Sequence, residues 1–206
     1  MDQLKVAIVD YEAGNLRSVQ KAIEACGSIA KITTDVEDIN SCDGIILPGQ
    51  GASDSAMSKL NELGLSETIK NQINKGKPFL GICLGLQLLF DSSEEGDLPG
   101  LGLIQGRIKK FSKDSKVPHI GWNQVSFNKN HPFIEGIPNQ SNFYFAHSYF
   151  SKIERKKQQL ATTDYGIEFC SAVAIDNLVA VQFHPEKSGI LGLGLYKNFL
   201  NMIIHG

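Results

Sequence analysis

Two short segments of this chain hold residue types that together can perform nucleophilic chemistry. In Phe79-Leu80-Gly81-Ile82-Cys83-Leu84-Gly85-Leu86-Gln87 an apolar run reaches a cysteine with glycine two places before and two after it. Gly-x-Cys-x-Gly is the thiol form of the nucleophile elbow, in which small residues let a strand and the next helix crowd a strained turn whose side chain points outward. At the first turn of a helix a thiolate also meets unpaired N–H groups and the positive end of the dipole, which favour the nucleophilic form. Taken alone, Cys83 also reads as a buried, inert thiol, and the paired glycines weigh against that. A cysteine nucleophile needs a base, and the base needs a group to orient it. His184 directly follows the apolar run Leu178–Phe183 and opens His184-Pro185-Glu186-Lys187-Ser188. Glu186 can accept from the far ring nitrogen, and Pro185 stiffens the backbone between them. The plainer reading of His184, a loop residue bonded to nearby backbone, leaves the elbow, the strand and Glu186 as coincidences.

These side chains must be positioned by a sheet. Lys5–Val9 reads as a strand, followed by a loop and a helix whose apolar positions Leu16, Val19, Ile23 and Cys26 have helical spacing. A strand at Ile29–Thr33 comes next, then the apolar run Gly44–Leu47 ending in Pro48-Gly49-Gln50-Gly51, then helical material over 53–75. The elbow strand Phe79–Ile82 and a helix over Leu84–Phe90 follow. Short apolar strands alternating with helices predict a parallel sheet covered on both faces, with function at the carboxyl ends of the strands. From Leu103 the pattern changes to successive strands, Leu103–Phe111, Trp122–Phe127, Asn142–Phe150, Leu160–Thr163, Glu168–Ala174 and Leu178–Phe183. Asp176-Asn177 forms a hairpin turn, and a helix over Gly189–Ile204 closes the chain. The charge run Ser151–Lys157 reads as a solvated loop. The expected fold is α/β and doubly wound, a mostly parallel, flavodoxin-like central sheet with an added antiparallel portion, in a single domain over 1–206.

Other features narrow the function. With 42% hydrophobic residues and a net charge of −2, the chain is neither a disordered polymer nor an electrostatic nucleic-acid binder. Cys26, Cys42, Cys83 and Cys170 form no Cys-x-x-Cys pair, which argues against a disulfide framework and a thiolate zinc site. There is no Gly-x-Gly-x-x-Gly and no Walker sequence, so nucleotide binding is unsupported, and no metal or cofactor is expected. Residues 1–10 lack the regions of a signal peptide and no apolar run has membrane-spanning length, which points to the cytoplasm. His147, among alternating aromatics, fits a core histidine or a substrate contact equally well, while His119, His131 and His205 suggest no role. Pro48-Gly49-Gln50-Gly51 can offer N–H groups to an oxyanion or be a plain turn.

Taken together these residues resemble the class I (triad) glutamine amidotransferases over nearly the whole chain. Asp10-Tyr11, Gly14-Asn15-Leu16-Arg17-Ser18-Val19, Pro118-His119-Ile120-Gly121-Trp122-Asn123, Phe145-Ala146-His147-Ser148-Tyr149 and Gln182-Phe183-His184-Pro185-Glu186-Lys187-Ser188 are similar to signatures of its HisH family, glutaminase subunits of imidazole glycerol phosphate synthase. The resemblance implies a Cys83-His184-Glu186 triad that hydrolyses glutamine to glutamate and ammonia. It implies an oxyanion site from Leu84 N–H and a donor in Gly49-Gln50-Gly51, and glutamine binding by Gln87, Glu95 and the His147-Ser148-Tyr149 backbone, with Glu94 as the neighbouring choice for Glu95. It implies a HisF-type (β/α)₈ synthase partner in a heterodimer, to which ammonia is channelled for making imidazole glycerol phosphate and aminoimidazole carboxamide ribotide in histidine biosynthesis. Asn15, Trp122, Tyr144 and Lys187 fall at the docking-face positions, although core packing is an equal reading of Trp122.

Three other functions fit parts of the pattern. The same glutaminase could feed another synthase, such as a sugar-modifying one; genomic neighbours discriminate. A cysteine elbow also serves peptidases and thiol hydrolases, against which Gln87 and the full His-Pro-Glu speak. A regulatory subunit without turnover is disfavoured by the intact triad.

Overall fold

The computed structural model describes residues 3–112 and 115–205, so that Met1 and Asp2 of the amino-terminal segment lie outside the described residues. The first half runs β1 (Lys5–Val9), α1 (Leu16–Ala25), β2 (Ile29–Thr33), α2 (Val36–Ser41), β3 (Gly44–Leu47), α3 (Ser53–Glu62), α4 (Leu65–Asn74), β4 (Phe79–Ile82) and α5 (Leu84–Gln87). The second half runs β5 (Phe90–Ser93), β6 (Ile104–Lys110), β7 (His119–Phe127), β8 (Ser141–His147), β9 (Tyr149–Ile153), β10 (Gln159–Asp164), β11 (Glu168–Ile175), β12 (Leu178–Val181) and α6 (Gly189–His205).

The main sheet has the order β2-β1-β3-β4-β12-β11-β10-β7-β8. Its first five strands are parallel, and from β12 onward the pairings are antiparallel, as the sequence pattern predicts. The central strands β3, β4 and β12 are buried at every position. Residues alternate between two apolar cores. Val6 and Ile8 meet α1 and α6 through Val19, Ile23 and Phe199, while Ala7 and Val9 belong with α3 and α4 through Met57, Leu60 and Ile69. Such double coverage is why these strands read as continuous apolar runs.

Several elements differ from expectation. The helical stretch over 53–75 is two helices, because Gly64 takes φ +69 and turns the chain between them. The helix after the elbow is a single turn; the chain passes straight into β5, which pairs with β6 in parallel. The unforeseen α2 is capped by Asp35, which accepts from Glu37 N–H at 2.8 Å. The expected strand Asn142–Phe150 breaks at Ser148 into β8 and β9. The front of the charge run is not loop: Ser151–Ile153 belongs to β9, with Ser151 buried and donating to the Cys170 carbonyl at 2.7 Å while Lys152 faces solvent. Among the described residues no helix is long and apolar enough to cross a membrane.

Candidate active site

β4 lies between β3 and β12, with Leu47 opposite Gly81 and Val181 opposite Ile82. The elbow and the His-Pro-Glu segment therefore leave adjacent strands at the same edge. Cys83 takes φ +55 and ψ −105, outside the regions open to ordinary side chains. Its N–H donates to Val181 O at 2.8 Å, and the N–H groups of Leu86 and Gln87 return to its carbonyl at 3.1 and 3.2 Å, which holds the strained turn in place. The flanking glycines are dictated by contact. A Cβ on Gly85 would lie 1.8 Å from Leu47 O, and one on Gly81 would lie 2.9 Å from Gly85 O.

His184 is buried at the end of β12. Its N–H donates to Tyr144 O at 2.8 Å and its carbonyl accepts from Ser188 Oγ at 2.7 Å. Nδ1 meets Glu186 Oε1 at 2.9 Å, and Nε2, buried and with no hydrogen-bond partner, is left for the thiol. Burial favours the neutral ring, but the sulfur of Cys83 and the carboxylate of Glu186 outweigh it and hold His184 up at about 10. The arrangement is a nucleophile, a base and an orienting carboxylate, with the base primed to carry a proton.

Asn15, expected on a docking face, donates through Nδ2 to Glu186 Oε1 at 2.7 Å, so its side chain belongs to the support of the carboxylate. Sequence reasoning missed Tyr196 of α6. This phenol is fully buried beside Glu186; its hydroxyl and Glu186 Oε2 both lack partners, and burial and the carboxylate push its pKa well above the ordinary value. Tyr11 was also missed in this role. Its hydroxyl donates to Pro48 O at 2.8 Å and sits where a Cβ on Gly49 would fall, at 1.7 Å, so it clamps the strand beside the thiol.

The Leu84 N–H donates to Gly49 O at 3.4 Å. The Gly49-Gln50 peptide thus turns its carbonyl toward the elbow. In a trans peptide the C=O and N–H point oppositely, so the Gln50 N–H faces away.

A cavity of about 290 Å³ opens on the sulfur, lined by Gln87, Glu95, Ala146, His147, Ser148, Tyr149 and other residues including Gln50 and Gly51. Glu95 accepts from Ser53 N–H at 2.8 Å; burial raises its carboxyl against that bond. Glu94 instead accepts from Lys110 N–H at 2.9 Å and is not a lining residue, which places Glu95 at the site. Gln87 spends its amide N–H groups on Tyr149 O and Gln182 Oε1, each at 3.0 Å, leaving its oxygen for the cavity. Gln182, a polar residue in a buried strand run, donates to the Cys83 sulfur at 3.6 Å. That polar interruption was the available signal for it.

Beside the cavity mouth Trp122 is 59% exposed, so it is not core. Its ring meets Tyr144 edge-on at 6.1 Å, and Lys187 Nζ stands 5.6 Å from the centre of the Tyr144 ring. Ile120, 61% exposed, extends this apolar patch.

Residues 7–202 match the glutamine amidotransferase class-I family. The imidazole glycerol phosphate synthase subunit HisH of Caldanaerobacter subterraneus is 47% identical over 199 residues, covering 96% of this chain and 98% of that protein. The HisH subunit of Nitrosomonas europaea is 46% identical, covering 95% and 97%. Among solved structures, PurLQS from Thermotoga maritima superposes with a TM-score of 0.73 at 18% identity, over 99% of each chain, and the glutaminase domain of Trypanosoma brucei CTPS with 0.71 at 18%, over 98% and 94%. The fold, the elbow and the extent of these similarities agree that the chain belongs to the class I glutamine amidotransferase family, in its HisH branch.

Proposed function

We propose that this chain is the glutaminase subunit of an imidazole glycerol phosphate synthase and that Cys83, His184 and Glu186 carry its chemistry. The observation that supports this most is the Cys83 elbow facing a histidine whose other nitrogen is fixed by Glu186 at 2.9 Å, at the mouth of a cavity sized for an amino acid. With the proton of the Cys83–His184 pair already on His184, Cys83 attacks the side-chain amide carbon of glutamine and His184 delivers that proton to the departing nitrogen. Ammonia leaves, and a glutamyl thioester remains. Water, deprotonated by His184, cleaves the thioester to glutamate and returns the thiol. The Gln87 oxygen and Glu95 carboxylate suit the substrate ammonium, and the Ser148-Tyr149 backbone its carboxylate end.

The tetrahedral oxyanion needs donors, each worth about 3 kcal/mol of barrier. Leu84 N–H is one, but Gly49 O now occupies it. A half-turn of the Gly49-Gln50 peptide frees Leu84 and brings the Gln50 N–H inward, so this chain rests in an under-equipped state until a partner turns it.

Ammonia released into neutral water is protonated and lost as a nucleophile. The Trp122-Tyr144-Lys187 patch beside the cavity fits a (β/α)₈ synthase of the HisF type, with an aromatic anchor and a cationic rim. The test is glutamate release by the chain alone and mixed with such a synthase and its ribotide substrate. Slow hydrolysis alone and strong stimulation in the mixture are expected; no glutamate in either overturns the reading. Trp122→Ala is expected to weaken the complex by about 2 kcal/mol in a titration while leaving the subunit's own melting unchanged, because the ring is exposed.

A further inference from the structure

A buried histidine pair lies behind the cavity wall. His119 and His147 face each other across β7 and β8, and both are buried. His119 Nδ1 meets His147 Nε2 at 2.9 Å, and His147 Nδ1 meets Tyr149 O at 2.7 Å. A carbonyl only accepts, so the proton on this side of His147 sits on Nδ1. With burial pulling His147 down to about 3, the ring is neutral and its Nε2 must accept. His119 therefore donates from Nδ1. Burial likewise draws His119 down to about 4, so its own Nε2 accepts, here from Asn123 Nδ2 at 3.3 Å. The same Asn123 nitrogen donates to Asp164 O at 2.9 Å, and the Asn123 oxygen accepts from Gln124 N–H at 2.8 Å, which fixes the amide orientation. His119 is stacked between Phe145 and Tyr165, with ring centres 4.8 and 3.9 Å away.

The Tyr149 carbonyl that receives this proton also receives Gln87 Nε2 at 3.0 Å, and Gln87 continues to Gln182 and the Cys83 sulfur. A connected series of hydrogen bonds thus runs from Asn123 to the nucleophile in two arms, one donating inward from Asn123 to the Tyr149 carbonyl and one starting at Gln87, which donates both to that carbonyl and through Gln182 toward the sulfur, and His119 lies outside the cavity lining. We propose that His119 is a positioning residue for glutamine binding: by donating from Nδ1 to His147 Nε2 it holds that ring where its Nδ1–H reaches the Tyr149 carbonyl, and through that carbonyl it fixes which end of the Gln87 amide faces the substrate. Without the donor, His147 Nε2 is a buried acceptor with no partner, and the ring is no longer held from that side. As the ring turns, its Nδ1–H bond to the Tyr149 oxygen loosens, and that peptide and Gln87 lose their common anchor. This rests on the glutaminase reading of the site.

The experiment combines imidazole ¹⁵N spectra with steady-state glutamine hydrolysis by the complex with a HisF-type synthase and its ribotide. In the unsubstituted protein the His147 proton is expected on Nδ1. His119→Phe keeps the stacked ring and removes the donor; it should shift the His147 Nε2 and Nδ1–H signals as the hydrogen bonds at both nitrogens weaken, and raise KM for glutamine about tenfold, the scale of one lost buried hydrogen bond, with kcat within about twofold. His119→Asn, whose Nδ2 can stand near the position of the ring Nδ1, should restore both the His147 signals and KM. An Nε2–H His147 in the unsubstituted protein, an unchanged KM in His119→Phe, or equal losses of kcat in both variants overturns the proposal. An unsubstituted complex that releases no glutamate overturns the glutaminase reading instead, and the spectra still decide the tautomer.

Discussion

Replacing Cys83 by alanine is expected to abolish glutamine-dependent synthesis by the assembled enzyme and to leave synthesis from ammonium salts at its original rate. Alanine removes the attacking atom and only one buried sulfur, so folding and docking survive while the covalent route does not. Loss of a nucleophile of this kind costs on the order of 10⁴-fold or more in turnover. On the proposed division of labour the ammonium-driven rate is untouched, because the synthase and not this chain binds the acceptor of nitrogen. Glutamate release and product formation, measured separately, check the two halves. If ammonium-driven synthesis fell as well, the division of labour between the subunits would be wrong. If glutamate release survived, another residue would be the nucleophile.

Gly85→Ala is expected to be the most damaging single-methyl change in the elbow. The added carbon would lie 1.8 Å from Leu47 O and 2.9 Å from Leu47 C, both backbone atoms that cannot swing aside. Relief requires β3 and α5 to separate, at about 3 kcal/mol or more, or a fall of about 10 °C in Tm for a chain of this size. The same movement would displace Pro48-Gly49-Gln50, which follows Leu47, so molecules that remain folded should also hydrolyse glutamine poorly. Thermal melting and activity per folded molecule test the two effects, and an unchanged Tm would show that the strand and helix are not in close contact.

The parts of this protein that could be read from its sequence are those whose signal is local. The parallel half announced itself because β3, β4 and β12, and β1 after Lys5, are buried on both faces and so are apolar. Gly81, Cys83 and Gly85 were legible because a close backbone approach leaves its mark at fixed spacing, and His184 and Glu186 because two positions separate them. Glu95 was placed only to within one residue, since Glu94 and Glu95 differ only in what they face, Lys110 N–H or Ser53 N–H. Partners remote in sequence were hidden. Asn15 reaches Glu186 across 171 positions, and nothing in the spacing of the last helix marks Tyr196. His119 carries no periodic sign of the ring it faces on β8. The short helix after the elbow was overestimated because Leu84–Phe90 suits a helix locally, while pairing with β6 draws Phe90 into a strand. Ser151–Lys157 was taken for loop because its charges mask the strand alternation of its first three residues.

The pairing of Val181 with Ile82 has a further meaning. The thiol is one residue beyond that pair and the imidazole three, on strands about 4.8 Å apart, so the gap between them is chiefly a dimension of the sheet. A slip of one residue between these strands would turn every side chain to the opposite layer and carry the imidazole away from the sulfur. The reactivity of Cys83 is therefore a gauge of strand alignment: labelling by an electrophile during refolding would time the moment at which the middle of the molecule finds its correct alignment.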